Sequence, residues 1–324
     1  FEPPPPQNWT KFHTIFSVTN SRYFEWQSRY MSYNFAKSGQ SGKITRILSA
    51  PHPDHMMGGH PCDLDTWVAP PYKQSHEDNY SPYNKPSGII HWLKHSGVNA
   101  EYVIIVDPDC VFLRPIAVEK DGEDVTVQLG GGSTMKVSKG RPFGQKGYMD
   151  YVKNGPFDTL AQKYCKGCPR VESLAVPIVI HIDDLKAIAP LWLSITEEIR
   201  HDKSHWNKEW NHERFALSWT SEMFGYIFAA GRLGIKHSVS DRGQEIVGFN
   251  RRVAAPILHY SLKLSLKEKK VWHKYTENAG LVFPDPKYGI NEVQSTFLAK
   301  MQEALAHCPP TNHTFTASYF SSEP

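Results

Sequence analysis

Two carboxylates stand one residue apart in Asp107-Pro108-Asp109, directly after the run Tyr102-Val103-Ile104-Ile105-Val106. Such a pair can reach a single divalent cation, directly or through water. Mg²⁺ and Mn²⁺ favour hard oxygen ligands of this kind and also take phosphate oxygens. Pro108 fixes φ between the two acids and stiffens the turn. The apolar run ahead of them reads as a buried central strand of an α/β sheet. Ligand sites in open α/β sheets lie outside the carboxyl ends of strands. The place therefore suits a nucleotide-sugar metal site; the plainer reading is a polar strand exit.

Other chemistry-bearing residues say less. The five cysteines are Cys62, Cys110, Cys165, Cys168 and Cys308. Cys165-Lys166-Gly167-Cys168 is one C-x-x-C with neither a second pair nor a histidine pair at matching spacing. A disulfide or buried thiols are expected there rather than zinc, and an odd count leaves at least one thiol unpaired in a monomer. Gly130-Gly131-Gly132 is not followed by G-K-[ST], so it does not make a phosphate loop. Glu222 lies in an otherwise apolar helical stretch, and a buried carboxylate must be paired or functional. Asn8-Trp9-Thr10 and Asn312-His313-Thr314 are N-glycosylation sequons, a weak pointer to a secretory lumen.

The elements that must position these residues alternate between strand and helix. Strands are predicted at 13–19, 44–49, near 66–68, 102–106, 176–182 and 257–260, from β-branched content and apolar runs. Helices are predicted at 23–35, 87–95, 183–200, 220–232 and about 292–306. The class is α/β. The 324 residues, 40% hydrophobic, suffice for a large core and exclude a disordered chain or a small disulfide knot. With 36 basic and 33 acidic residues, charge does not argue for nucleic acid as a partner. No apolar run approaches the roughly 18 residues of a membrane span. Residues 1–10 read as a Pro-rich linker, 11–307 as one domain and 308–324 as a tail. Residues 119–147, polar and glycine-rich, read as an inserted loop. The chain opens Phe1-Glu2-Pro3 and reads as a trimmed product, with any targeting segment outside it.

Longer blocks carry a family resemblance. Asn84-Lys85-Pro86-Ser87-Gly88-Ile89-Ile90-His91-Trp92-Leu93-Lys94-His95-Ser96 resembles a segment of plant and algal peptidyl serine α-galactosyltransferases. So do His181-Ile182-Asp183-Asp184-Leu185-Lys186, Trp219-Thr220-Ser221-Glu222-Met223-Phe224-Gly225-Tyr226 and Pro256-Ile257-Leu258-His259-Tyr260. The related hydroxyproline O-arabinosyltransferases share the frame, with an E-P-D version of the acidic motif. The resemblance implies a GT-A-like, Rossmann-like nucleotide-sugar glycosyltransferase fold, with a mixed central sheet flanked by helices. It implies retaining transfer from UDP-galactose to serine in a hydroxyproline-rich, extensin-like acceptor, dependent on Mn²⁺ or Mg²⁺. It also implies a Golgi or endoplasmic-reticulum lumen, with membrane anchorage only through a segment absent from this chain.

On that resemblance Asp107, Asp109 and His259 are the metal ligands. Glu222 and Asp184 are the catalytic carboxylates. Ser17, Val18, Thr19, Arg46, Asn84, Lys85, Ser87, Asp107, Pro108, Asp109, His181, Asp183 and Trp219 face the donor. Each has a plainer alternative. His259 alone reads as a packed core histidine, Lys85 as a solvated lysine, and Ser17–Thr19 as a capped strand end. Asp183 and Asp184 read as carboxylates favoured by a helix N-terminus. Two other functions compete with serine galactosylation: arabinosyl transfer from UDP-arabinofuranose to hydroxyproline, and a carbohydrate- or peptide-binding module without turnover. The module leaves the acidic pair and Glu222 unexplained.

Overall fold

The structure is a computed structural model. It describes residues 10–51, 62, 64–72, 78–120, 124–147, 156–168, 171–202, 214–250, 252–260, 263–276 and 280–309. The Pro-rich start, Asn8, Asn312 and the predicted tail beyond 309 lie outside the described residues.

The chain begins with β1 (Thr10–Thr19) and passes through α1 (Arg22–Ser38) to β2 (Lys43–Ser49) and β3 (Asp65–Ala69). It returns through α2 (Asn84–His95) to β4 (Ala100–Ile105). These four strands are parallel neighbours in the order β3-β2-β1-β4. β5 (Cys110–Phe112), β6 (Ala117–Lys120), β7 (Asp124–Gln128), β8 (Thr134–Val137) and β9 (Phe143–Lys146) follow. Then come α3 (Pro156–Tyr164), β10 (Leu174–His181), α4 (Ile182–His201) and α5 (Arg214–Arg232). The last elements are β11 (Ser238–Ser240), β12 (Gln244–Val247), β13 (Ile257–Tyr260), β14 (Lys263–Ser265), β15 (Val271–His273) and α6 (Glu292–His307).

One mixed seven-stranded sheet, β11-β9-β10-β4-β1-β2-β3, forms the centre. β10 runs antiparallel to β4, with Ile178 opposite Ile105 and His181 opposite Tyr102. β4 is central because Val103, Ile104 and Ile105 are apolar in succession and can be covered on both faces. Ile15, Ile47, Val103 and Ile105 pack under Ile89 and Trp92 of α2, with Trp192 of α4 and Phe228 of α5 in the same core. Phe12, Phe16 and Ile104 meet Met31 and Phe35 of α1 on the other face. A third core joins Trp26 and Tyr30 of α1 to Tyr260, Trp272 and Phe297 of α6. The predicted α/β class and a helix-flanked mixed sheet are what the structure has, and every predicted strand and helix is present. α2 begins at Asn84, three residues ahead of expectation, where it continues directly from the single 3-10 turn Ser81–Tyr83; Asn84 Oδ1 accepts the Tyr72 N–H at 2.8 Å.

Two readings need correction. Residues 119–147 are not one loop. Val125, Val127 and Leu129 alternate onto a buried face, and Val137 joins them. That period of two builds the antiparallel meander β6-β7-β8. β9 leaves it to join the central sheet between β10 and β11; the glycines only turn the chain from β7 to β8. The domain also runs past 307. Cys308 is fully buried and disulfide-bonded to Cys62, 246 residues away. Cys165 bonds Cys168, and Cys110 remains a buried free thiol.

Candidate active site

β1, β2 and β4 are parallel, so their carboxyl ends share one edge of the sheet, and the acidic pair leaves β4 there. The next strand, β5, pairs with β13 so that Cys110 stands opposite His259. The Tyr260 N–H donates to the Asp109 carbonyl at 3.1 Å. This pairing carries His259 across 150 residues of sequence to the acidic pair. His259 Nε2 lies 3.1 Å from Asp109 Oδ1. Asp107, Asp109 and His259 each offer one ligand atom within 4.8 Å of the others. An ion with bonds of about 2.1 Å holds donors up to about 4.2 Å apart, close to the spread of these three atoms. Two carboxylates and an imidazole are a donor set that Mn²⁺ or Mg²⁺ accepts. The buried His259 Nδ1 has no hydrogen-bond partner among the described residues. The residues present fit a divalent cation.

Two lysines and a glutamate complete the cluster. Lys85, in the first turn of α2, places Nζ 2.9 Å from Asp107 Oδ1 and 3.6 Å from Glu222 Oε1. α2 can approach this closely because Gly88 has no side chain: a Cβ there would lie 2.8 Å from Ile47 Cγ2. Glu222 comes from α5. Gly225, one turn on, lets α5 pack against α4, since a Cβ would meet the Trp192 carbonyl at 2.8 Å. The Trp192 indole donates to the Glu222 carbonyl at 2.8 Å, and the Glu222 N–H donates to the Tyr80 hydroxyl at 3.0 Å. Tyr80 is held in turn under Arg200, 4.3 Å from its ring, which pairs with buried Asp78. Lys274 places Nζ 2.5 Å from Asp109 Oδ2.

These neighbours set the electrostatics. Burial works to raise the Asp109 carboxyl, but His259 and Lys274 outweigh it and hold Asp109 well below the ordinary carboxylate range. Burial works to lower His259 and Lys85. The carboxylates outweigh it in both, Asp109 for His259 and Asp107 with Glu222 for Lys85, so both pKa values rise. Glu222 is raised, mainly by burial, with Lys85 opposing.

Of the residues singled out from sequence, Lys85, Asp107, Asp109, Glu222 and His259 converge. Pro108 lies in the turn between the acids. Ser17, Val18 and Thr19 end β1 level with Ile47, Leu48 and Ser49 of β2, on the same sheet edge. Ser17 Oγ is buried with no hydrogen-bond partner among the described residues. Ser87 is half-buried on α2, and Asn84 is committed to Tyr72. Arg46 lies within β2 level with Phe16, short of the strand end, and its Nε donates to Thr66 Oγ1 at 3.2 Å. Trp219 is in α5, but its side chain lies outside the described part.

His181, Asp183 and Asp184 are not at this site. β10 is antiparallel, so its carboxyl end is level with Tyr102 and away from Asp107. Five residues of strand separate the two positions, about 16 Å. There Asp183 pairs with exposed Lys139 at 2.7 Å, and Asp184 Oδ2 accepts the Gly140 N–H at 2.6 Å. The His181 ring accepts the Asp183 N–H at 3.2 Å. Asp183 and Asp184 bind the β8–β9 turn to the start of α4, and His181 caps that helix start. Lys274 was missed. Its signal was a strand alternation that puts it in phase with buried Trp272, an unusual place for lysine.

Comparison with known proteins follows the same frame. The sequence model of the hydroxyproline O-arabinosyltransferase family N-terminal domain matches residues 12–128 and 147–239. A peptidyl serine alpha-galactosyltransferase of Arabidopsis thaliana is 32% identical over 291 residues, 86% of this chain and 34% of that protein. One of Chlamydomonas reinhardtii is 29% identical over 288 residues, 84% of this chain and 37% of that protein. The chain therefore spans about a third of the length of these two relatives. The hydroxyproline O-arabinosyltransferase NOD3 of Pisum sativum is 24% identical over 324 residues, 93% of this chain and 88% of that protein. Among solved structures, the galactosyltransferase LgtC with donor and acceptor sugar analogues superposes with a TM-score of 0.49 at 6% identity, over 93% of this chain and 98% of that one. The two stretches matched by the family model make up more than half of the sequence and contain Lys85, Asp107, Asp109 and Glu222, and the chain belongs to the hydroxyproline O-arabinosyltransferase family.

Proposed function

We propose that this chain is a GT-A-like, retaining, metal-dependent glycosyltransferase domain. It moves galactose from UDP-galactose to serine of hydroxyproline-rich proteins. The observation that carries the reading is the meeting of Asp107, Asp109 and His259 beside Lys85 and Glu222 at the carboxyl edge of the parallel strands. Asp107, Asp109 and His259 would hold Mn²⁺ or Mg²⁺. When bound, the cation supplies positive charge where negative charge develops on the departing diphosphate. The rest of the work belongs to the chain. Ser17 and Thr19 line the strand edge for the nucleoside. Lys85 adds a point charge beside the phosphates and restrains Glu222. Glu222, buried and raised in pKa, faces the reacting sugar and orients the acceptor hydroxyl. Asp184 has no part in this reading, because it is engaged at the opposite sheet edge.

The galactosyl assignment draws on the two relatives at 32% and 29% identity. Arabinosyl transfer to hydroxyproline is the second reading, favoured by the family model and by the near full-length match to NOD3. Two disulfides, Cys62–Cys308 and Cys165–Cys168, support an oxidising secretory lumen as the workplace.

The test is a donor screen with Mn²⁺ and a serine–hydroxyproline peptide, read by thermal shift and mass spectrometry. One hexose on serine from UDP-galactose is the expected result. A pentose on hydroxyproline from UDP-arabinofuranose selects the second reading. No response to UDP or to any UDP-sugar overturns both and leaves a module without turnover.

A further inference from the structure

Both acids of the pair carry a lysine ammonium, and the two lysines are not equivalent. Lys85 touches Asp107 and Glu222, so it keeps a carboxylate partner if Asp107 turns to a cation. Lys274 is different. Its carboxylate partner among the described residues is Asp109, at 2.5 Å, and its other hydrogen bond is to the Tyr260 carbonyl at 3.5 Å. Its side chain is 6% exposed. The ammonium also sits 5.6 Å from the Tyr260 ring and 5.9 Å from the Tyr275 ring.

A divalent cation that takes Asp109 strips Lys274 of this partner. A buried ammonium without a counter-charge is strongly unfavourable. Asp109 thus has two competitors for one set of oxygens, an internal monovalent cation and an external divalent one. A metal ion arriving alone must displace the ammonium and leave it stranded. A metal ion arriving with a diphosphate brings the anion that the ammonium then needs. Lysine suits such a hand-over, as a point charge with rotatable donors on a flexible stem that phosphate accepts from any side.

We infer that Lys274 is an exchange residue: it neutralises Asp109 in the unliganded protein and passes to a diphosphate oxygen when the cation takes that carboxylate. The inference rests on the nucleotide-sugar reading above and adds to it a residue and a consequence. Metal and nucleotide bind cooperatively, and by linkage each raises the affinity for the other by the same factor. Lys274 acts with opposite signs on the two ligands. It weakens the binding of metal alone and strengthens that of the diphosphate.

The experiment is a Mn²⁺ titration followed by the paramagnetic resonance of free Mn²⁺, with and without UDP. It compares wild type, Lys274→Met and Lys274→Arg, with circular dichroism to check the fold. Methionine keeps length and fills the buried space without charge. In wild type, saturating UDP is expected to tighten Mn²⁺ about tenfold, within the usual range of coupling between sites. In Lys274→Met, Mn²⁺ alone binds about tenfold tighter, UDP at saturating Mn²⁺ binds about tenfold weaker, and the coupling falls. Lys274→Arg keeps most of the wild-type pattern. A folded Lys274→Met that weakens Mn²⁺ and UDP together overturns the exchange and makes Lys274 a prop for Asp109. Should that variant not fold, wild-type Mn²⁺ affinity that is equal with and without UDP overturns it as well. Wild type that binds neither Mn²⁺ nor UDP defeats the nucleotide-sugar reading itself, a failure distinct from the other two.

Discussion

Asp107 with Asp109 and Asp183 with Asp184 are two acidic pairs at the ends of neighbouring strands of one sheet, and their surroundings have almost nothing in common. The first pair leaves β4 at the edge shared with β1 and β2, among a histidine, a half-buried lysine, a buried lysine and a buried glutamate. The second opens α4 at the far edge, where Asp183 is half exposed and bonded to a solvated lysine. Strand direction makes the difference. A parallel strand delivers its last residues to the edge where the other parallel strands end; an antiparallel neighbour delivers its own to the opposite edge. Acidic pairs of similar composition thus become a charge cluster in one place and a turn-and-helix clasp in the other.

The comparison is broken most directly at Asp109. Asp109→Ala removes a carboxylate of the proposed cation site and strands Lys274. Transfer is expected to fall at least about 1000-fold, some 4 kcal/mol of transition-state stabilisation. Unchanged turnover of the folded variant would remove Asp109 from the site.

Histidines sharpen the contrast between burial against a carboxylate and burial against a neutral hydroxyl. His259 beside Asp109 has its pKa raised. His237, whose Nε2 lies 2.8 Å from the Tyr226 hydroxyl, is lowered by burial to about 3, and His13 is lowered to about 4, again chiefly by burial. For His237 and His13 the folded pKa is below the unfolded one. Their contribution is fully present above about pH 6.5 and is lost as pH falls toward 4 and then 3. The sign follows from the unfolded chain binding more protons in that window. At about 1.4 kcal/mol per pKa unit, the loss between pH 7 and 4.5 is on the order of 2.5 kcal/mol for each histidine and about 5 kcal/mol for the two together. Denaturant titrations at the two pH values measure it. His237→Gln, which cannot take up the proton, should show a shallower pH dependence, and identical slopes would refute the assignment.

Glu222→Gln tests the deeper part of the cluster. It keeps the shape and removes the charge that Lys85 faces. The expected result is a fall of about 100-fold in kcat, near 2.7 kcal/mol, with UDP affinity changed little. Equal losses in kcat and UDP affinity would place Glu222 on the nucleotide instead. The smallest effect belongs to the far edge. Asp183→Asn breaks an exposed pair that solvent screens. It should leave donor kinetics within about twofold; a hundredfold loss of transfer would bring the α4 terminus back into the site.

Much of this is legible in the sequence. Ile104 and Ile105 announce a buried strand, and Asp107 and Asp109 announce chemistry at its end, because both signals lie within ten residues of chain. Glu222 stood out as a charge in an apolar helix. Val125, Val127 and Leu129 carried a strand alternation too, but the polar and glycine-rich residues around them masked it, and 119–147 read as loop. Arg46 lies three residues short of the end of β2, a position that a cation in a strand does not reveal.

The sequence by itself determined the elements, the α/β class, the acidic motif and the buried carboxylate, since local periodicity and burial preference are written in neighbouring residues. Only the tertiary structure decided which of those residues meet. Lys274 reaches Asp109 across 165 positions and Arg200 reaches Asp78 across 122. The direction of β10 sends Asp183 and Asp184 to the other edge. Each of these outcomes depends on strand order and polarity, which arise from packing between segments distant in the chain and leave no mark on local spacing.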